Sequence, residues 1–521
     1  MIFLKGRKTM KTKRILALLL VICMAVAVLA SCASGDEDGD DTGSVDTTDV
    51  SDLDLDFKQA DYEGEKFSFA TFTSSVNGET EYYCGDWIDC DDIVGVATSD
   101  AVYKRNMLCE KKYNVVIENE IKGESYKEYQ DLVLKGDQSW DVVYSWASRL
   151  ADGVIDGQFY DFYNLSDKDY IDLEASYWNP NVNKSLNVGD RLFIATNDIT
   201  MSSLSWTGCL FFNPELIDVY NLENPHDLVD KNEWTIDKYL EMVSAVHGEL
   251  DGNPDFTIED CYGFIDFGSN GFLYGCGITL INDEDLSVNI GSQRVIDLIS
   301  KIRKVFDNKA YVFSFGQDYP EQSQASNPWE YVRQYFANGH SLFIGGSPEL
   351  TREFREMETG YGVVPMPKFD ANQKEYVAGI DANAGAFALP IFIRRDVNGA
   401  SYERTGTILE YLAYKSSEKV DDSVLNAYYE TTIKKQRQTI DKNMEMLDNY
   451  IKDKGRYEWA DVFAVGKVGD DDSKTISGVL GAMAAKASGQ AKVYRASATR
   501  LQKAVNDIWD LVANIKNEEA K

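Results

Sequence analysis

An alternation of strand and helix between residues 66 and 144 constrains this chain most. Residues 66–72 are aromatic and β-prone, and residues 99–113 bring Val102, Cys109 and Tyr113 near helical spacing. Val115, Val116 and Ile117 read as a second strand, residues 126–134 as a helix, and Trp140, Asp141, Val142, Val143 and Tyr144 as a short buried strand. That order predicts an α/β sheet whose parallel strands are joined by crossover helices. Ligands of such sheets lie beyond the carboxyl ends of the strands, which singles out Trp146 and Arg149 just past Tyr144.

Further along, Asn213 and Pro214 predict a helix start: a side-chain cap, then a residue whose missing donor costs nothing at the first helical position. Residues 233–246 carry an apolar stripe through Ile236, Tyr239, Leu240 and Val243. A second stripe runs through Val295, Leu298, Ile302 and Phe306. Residues 361–365 are extended, 407–414 helical, and the C-terminal part mostly helix, with Leu501, Val505, Ile508 and Trp509 on one face.

The amino terminus sets the compartment. Basic residues from Lys5 to Arg14 lead into an apolar run, residues 15–30, followed by Ser31 and Cys32. The run is shorter than the roughly 20 residues that cross a bilayer and ends on small residues, as a secretion signal does. Leu29, Ala30, Ser31 and Cys32 resemble a bacterial lipobox. That resemblance implies that Cys32 is lipidated, becomes the new N-terminus and anchors the chain at the extracellular face of the cell membrane. Met10 is an alternative start to Met1. Residues 33–56, rich in Gly, Ser, Thr and Asp, bury too little apolar surface to offset their ordering entropy and read as a disordered acidic tether.

A formal charge of -34, from 52 basic and 86 acidic residues, argues against nucleic acid or an anionic lipid surface as partner. Of eight cysteines, Cys84 and Cys90 are close enough to close a small disulfide loop in an exported chain, though nothing in the sequence demands it. His226, His247 and His340 lack metal-site spacing. Asp251, Asn253 and Asp255 begin like a calcium loop, but Phe256 and Tyr262 stand where its glycine and glutamate belong. No cofactor or metal is expected.

Three stretches taken with the lipobox and tether resemble extracellular solute-binding proteins of family 1, which feed sugar ABC importers. They are Phe211-Phe212-Asn213-Pro214-Glu215-Leu216, Glu233-Trp234-Thr235-Ile236-Asp237 and Gly360-Tyr361-Gly362-Val363-Val364-Pro365-Met366-Pro367-Lys368. The resemblance implies a two-lobed type II periplasmic-binding-protein fold, α/β throughout, with the ligand cleft between the lobes. It divides the chain into a signal, 1–32; a tether, 33–56; a first lobe, 57–190 plus 361–416; and a second lobe, 191–360 plus 417–521. Interlobe crossings are then expected at residues 191–197, at 360–365 and after Ser417. The implied function is capture of a carbohydrate, in particular an oligosaccharide, and its delivery to the permease subunits of an ABC transporter, without catalysis.

A sugar offers hydroxyls at its edge and C–H patches on its faces, so a receptor needs carboxylates and amides for the first and aromatic planes for the second. Nine Trp and 30 Tyr supply planes, most of them for cores. Those near turns and strand ends are the candidates: Trp87, Trp146, Trp206 and Trp329, with Trp146 foremost because the family often stacks an aromatic after that strand. Asp86, Arg149, Asp198 and Asp381 are the polar candidates. Arg149 could grip a sugar hydroxyl pair, clamp a ligand carboxylate or form a surface salt bridge. Two other functions stay open: a peptide or amino-acid receptor of the same fold, and a secreted hydrolase with paired carboxylates, for which no acid or nucleophile motif is recognised.

Overall fold

The first strand, β1 (Glu65–Thr71), is buried on both faces from Phe67 to Thr71, as an interior parallel strand must be. It is followed by α1 (Ala97–Tyr113), which stops at Asn114 in the left-handed conformation, φ 48°. The chain then enters β2 (Val115–Ile121), β3 (Val142–Trp146), α2 (Ala147–Ile155), β4 (Phe159–Tyr160) and β5 (Ile194–Ala195). Coordinates come from a computed structural model, which describes residues 57–71, 74–76, 79–81, 87–90, 96–121, 140–250, 252, 256–257, 259–266, 270–282, 287–314, 328–354, 357–392, 397–430, 441–463, 499, 502–503, 505–506 and 510. Lys58–Lys521 forms one unit, apart from Met1–Phe57. The lipobox, the tether, the helix expected at 126–134, the calcium-like triplet, Cys84 and most of the C-terminal stripe lie outside the described residues.

A second sheet collects β6 (Cys209–Phe212), β7 (Cys261–Asp266), β8 (Val312–Ser314), β9 (Ser341–Gly346) and β10 (Gly362–Pro365). Around these strands pack α3 (Ile236–Ala245), α4 (Asn270–Gly275) and α5 (Gln293–Phe306). The chain returns through β11 (Ala378–Ile380) to β12 (Gly385–Pro390), α6 (Tyr402–Ser416) and finally β13 (Gly455–Tyr457).

Both sheets obey one plan. The first runs β2-β1-β3-β12-β4, with β5 alongside β12; the second runs β8-β7-β9-β6-β10. In each, the second strand flanks the first and the third lies on its other side, all parallel. A single antiparallel strand then separates the third from the fourth: β12 in one sheet, β6 in the other. Each of these strands is the first laid down by a chain arriving from the other sheet. This pattern makes the fold a two-lobed α/β arrangement of the periplasmic-binding-protein type II. Among the described residues, no helix is long and apolar enough to cross a membrane.

The three stretches that carry the family resemblance meet in the second lobe. Phe211 and Phe212 are core residues of β6, and Asn213 caps the next helix through the N–H groups of Glu215 and Leu216. Trp234 is fully buried and its indole N–H donates to the Pro365 carbonyl at 2.8 Å. Ile236 N–H donates to the Lys368 carbonyl at 2.7 Å, tying α3 to the strand's exit.

Two expected boundaries move. Residues 360–365 are not a crossing: Gly362–Pro365 pairs with β6 inside the second sheet, with Val363 and Val364 fully buried. Their apolarity fits an interior strand, and the chain leaves only after Pro365, through residues 366–377. Likewise Ile194 and Ala195 still belong to the first sheet, paired with Ala388 and Phe387, so the first crossing starts beyond them. A small parallel pair, β11 with β13, joins the passing segments.

In the first lobe, Arg404 of α6 is fully enclosed and pairs with Asp141, whose other oxygen accepts the Ser68 N–H at 2.9 Å. Removing one partner strands the other charge in the core. Asp141→Ala is therefore expected to lower stability by about 3–5 kcal/mol. Urea unfolding would show it as an earlier midpoint at unchanged slope, and an unmoved midpoint would remove this pair from the lobe's support.

Candidate functional site

The carboxyl end of β3 opens directly onto the segments that pass between the lobes. Ala147 N–H bonds the Ala384 carbonyl at 3.0 Å and Ser148 N–H the Ala382 carbonyl at 2.9 Å, so the start of α2 is stitched to the turn that enters β12. That turn is self-supporting: Asp381 accepts from the Asn383 N–H at 2.8 Å and Ser148 Oγ bonds Asn383 Oδ1 at 3.2 Å. Asp381 N–H in turn reaches the Trp206 carbonyl at 3.3 Å, and Thr207 bridges Ile380. These bonds gather Trp146, Arg149, Trp206 and Asp381, four of the residues predicted from the sequence, into one place.

Their side chains form a mixed aromatic and polar surface. Trp146 and Arg149 are half-buried, and the guanidinium carbon lies 4.2 Å from the indole centroid, a cation-π stack that holds the ring in a fixed plane. Trp206 is half-buried as well. Asp381 and Asn383 are solvent-exposed, yet protein crowds Asp381 closely enough to raise its carboxyl pKa through desolvation, against the opposing Asn383 N–H. An acid that water reaches while protein surrounds it lies in a cleft.

The second lobe's α4 packs against the passing strand β11, with Tyr274 buried there. The Tyr274 ring lies flat against Gly379, where any Cβ would collide with it, and its hydroxyl donates to Asp461. Asp461 belongs to the short helix Trp459–Val462, which packs on α2. Burial pushes its carboxyl up to about 6; the Tyr274 hydroxyl opposes this and Asp381 adds to it. Glu458 beside it accepts the N–H groups of Leu280 and Ile281 at 3.0 and 3.1 Å, and burial pushes it up to about 7. The C-terminal segment thus touches both lobes here.

Asn383, Tyr274 and Asp461 were not foreseen. Asn383 had a readable signal, since Asp381-Ala382-Asn383-Ala384-Gly385 is a turn before a buried strand, the kind of place where side-chain amides face a cleft. Tyr274 and Asp461 are 187 residues apart and had none.

The remaining candidates go elsewhere. Trp87 packs edge-on against Tyr428 with centroids 5.7 Å apart, and its carbonyl accepts from Arg105 at 3.0 Å. Its ring is part of the packing between α1 and the second lobe's apolar cluster. Asp198 lines a different cavity of about 50 Å³, with Asn179, Glu418, Lys452 and Asp453. Asp86 and the Trp329 side chain lie outside the described residues, although Trp329 falls in helix Pro328–Ala337. Among the described residues no group of His, Cys, Asp and Glu could hold a metal ion.

No family model matches the chain, and no curated protein matches it either. Several solved structures are similar to it over most of their length. MalE from Listeria monocytogenes in complex with maltose is 15% identical with a TM-score of 0.49, over 85% of this chain and 98% of that one. The maltose/maltodextrin-binding domain MalE from Bdellovibrio bacteriovorus bound to maltotriose is 12% identical at 0.48, over 85% and 99%. Apo RafE from Streptococcus pneumoniae is 12% identical at 0.48, over 87% and 100%.

Asp198 has a measurable signature. Burial pushes its carboxyl up to about 8, with the Asn179 amide and Lys452 opposing, and Asp453 and Glu418 adding to the rise. The unfolded chain releases this proton near pH 4 (about 3.9), the folded chain near pH 8, so this residue's share of stability falls as pH rises between them. Asp198→Asn removes that cost. The variant is expected to exceed the native chain by about 1–3 kcal/mol at about pH 8 and to match it near pH 4. Urea midpoints at both pH values check this, and parallel pH profiles would contradict it.

Proposed function

We propose that this chain is a lipid-anchored solute receptor of an ABC importer, which captures a carbohydrate between its two lobes and releases it unchanged to membrane permease subunits. The observation that carries the reading is the constellation at the end of β3. A guanidinium-braced indole plane stands beside a carboxylate, an amide and a hydroxyl, from Asp381, Asn383 and Ser148. Indole faces suit sugar C–H patches, and carboxylates and amides take paired hydroxyls. The constellation lies on the first lobe and on the segments that join it to the second, so a ligand that also meets the second lobe stabilises their closed state.

Catalysis is not part of this proposal. Asp381 holds a turn N–H and Asp461 a tyrosine hydroxyl, as befits binding groups. Residues 33–56 would let the receptor stand off the membrane, at the outer face of the cell, with Cys32 as the lipidated end.

Titration calorimetry against maltotriose, raffinose, a tripeptide and free amino acids tests the ligand class. Heat of binding with an oligosaccharide alone is expected; binding of the peptide alone would overturn the reading, and release of reducing sugar would make the chain an enzyme. Trp146→Ala should weaken the sugar by about 1–3 kcal/mol with folding intact, and unchanged affinity would take Trp146 out of the site. Cys32→Ala should leave the protein in the aqueous phase of a detergent partition, whereas recovery in the detergent phase would count against the anchor.

A further inference from the structure

Three interlobe passes meet at the cavity that holds Asp198. The first, residues 196–208, supplies Asp198, Thr200, Ser203 and Thr207; the pass after α6 supplies Glu418; the approach to β13 supplies Lys452, Asp453 and Gly455. The passes are tied to one another and to the first lobe. Arg105 of α1, a buried guanidinium, donates to the Ile199 carbonyl at 2.9 Å and to Ser416 Oγ at 3.2 Å, gripping two passes at once. Lys452 pairs with Glu418 at 2.5 Å, and Asn179 reaches Asp198 at 3.4 Å. Any opening or closing of the lobes has to turn about these residues, because the chain crosses between the sheets through them.

We propose that this cavity is a proton-operated hinge catch. With Asp198 protonated the three passes lie together as seen here; with Asp198 ionised beside Asp453 and Glu418 they separate, and the balance between open and closed lobes shifts. The groups that face Asp198 from the packed elements are Glu418, Lys452, Asp453 and Tyr429, together with the neutral Asn179. One cation stands against two acids, so a further negative charge is repelled on balance. Crowding by protein, with Asp453 and Glu418 beside it, raises the Asp198 carboxyl, and desolvation likewise raises Asp453. Glu418 and Asp453 face water whereas Asp198 is only partly exposed, so its ionised form is favoured when the passes part and admit more water to it. A two-state element is biased by whatever it binds differently in its two states, and here that is a proton.

The test uses the full chain without ligand, so its outcome is independent of the carbohydrate reading. Spin labels are attached through bio-orthogonal side chains introduced at positions 104 and 304, exposed sites on α1 and α5 that leave the native cysteines untouched. Pulsed electron resonance then gives the lobe-to-lobe distance distribution at about pH 6 and about pH 9, on either side of the transition. The native chain is expected to redistribute between two distances. Asp198→Asn should hold the low-pH distribution at both, and Asp453→Asn should move the transition to lower pH. A native distribution identical at the two pH values overturns the proposal, and so does an Asp198→Asn variant that still follows the native change.

Discussion

Everything about this molecule depends on one antiparallel strand inserted in each sheet. Each sheet has one antiparallel member inserted between its third and fourth parallel strands, and that member is supplied by a chain coming from the other sheet. The second sheet draws its strands β6 to β10 from one stretch, residues 209–365, but the first lobe cannot complete its ladder without β12, which returns from the second lobe. The backbone groups of β3 and β9 facing the inserted strands would otherwise be buried without partners, a cost that holds those strands in place. The chain must therefore cross between lobes more than once, and the crossings lie side by side. Several parallel covalent passes restrict the lobes to rotation about a common line, which is what a receptor that closes on its ligand requires.

The same geometry explains why the site and the hinge are neighbours but are not one place. The turn entering β12 carries Asp381 and Asn383 and is bonded to the start of α2, where Trp146 and Arg149 stack. A few residues away on the first pass, Asp198 turns into the cavity where Lys452 and Glu418 pair. Close packing is demanded where the passes touch. Gly379 and Gly385 leave no room for a side chain, the first because of the Tyr274 ring and the second because of the Tyr144 hydroxyl. Gly379 lets α4 of the second lobe pack on the passing strand β11, while Gly385 makes room for the Tyr144 hydroxyl within the first sheet.

Much of this could be read from residues alone, for a definite reason. Val142, Val143 and Tyr144 form an apolar run that is buried as a strand must be, and Trp146 follows it at the end where an α/β sheet presents its ligands. The stretches around Phe211, Trp234 and Val363 carry packing information, and they converge on the core of the second lobe through the Trp234 indole bond. Residues 362–365 were legible as extended; their partner was not, because pairing with β6 depends on a segment about 150 residues earlier. Asp198 shows a related limit: one of 86 acidic residues, it carries no sign in sequence of whether it faces a ligand or a hinge. Tyr274 and Asp461 meet from elements that only the folded chain brings together.

The central claim is that the gap between the two sheets is where the solute is gripped. A crystal structure of the chain grown with the oligosaccharide that binds it best tests this most directly. The account predicts a sugar ring stacked on Trp146, with its hydroxyls within hydrogen-bond distance of Asp381 or Asn383. A sugar lodged on the outer surface of either lobe, with that gap filled only by water, would contradict it.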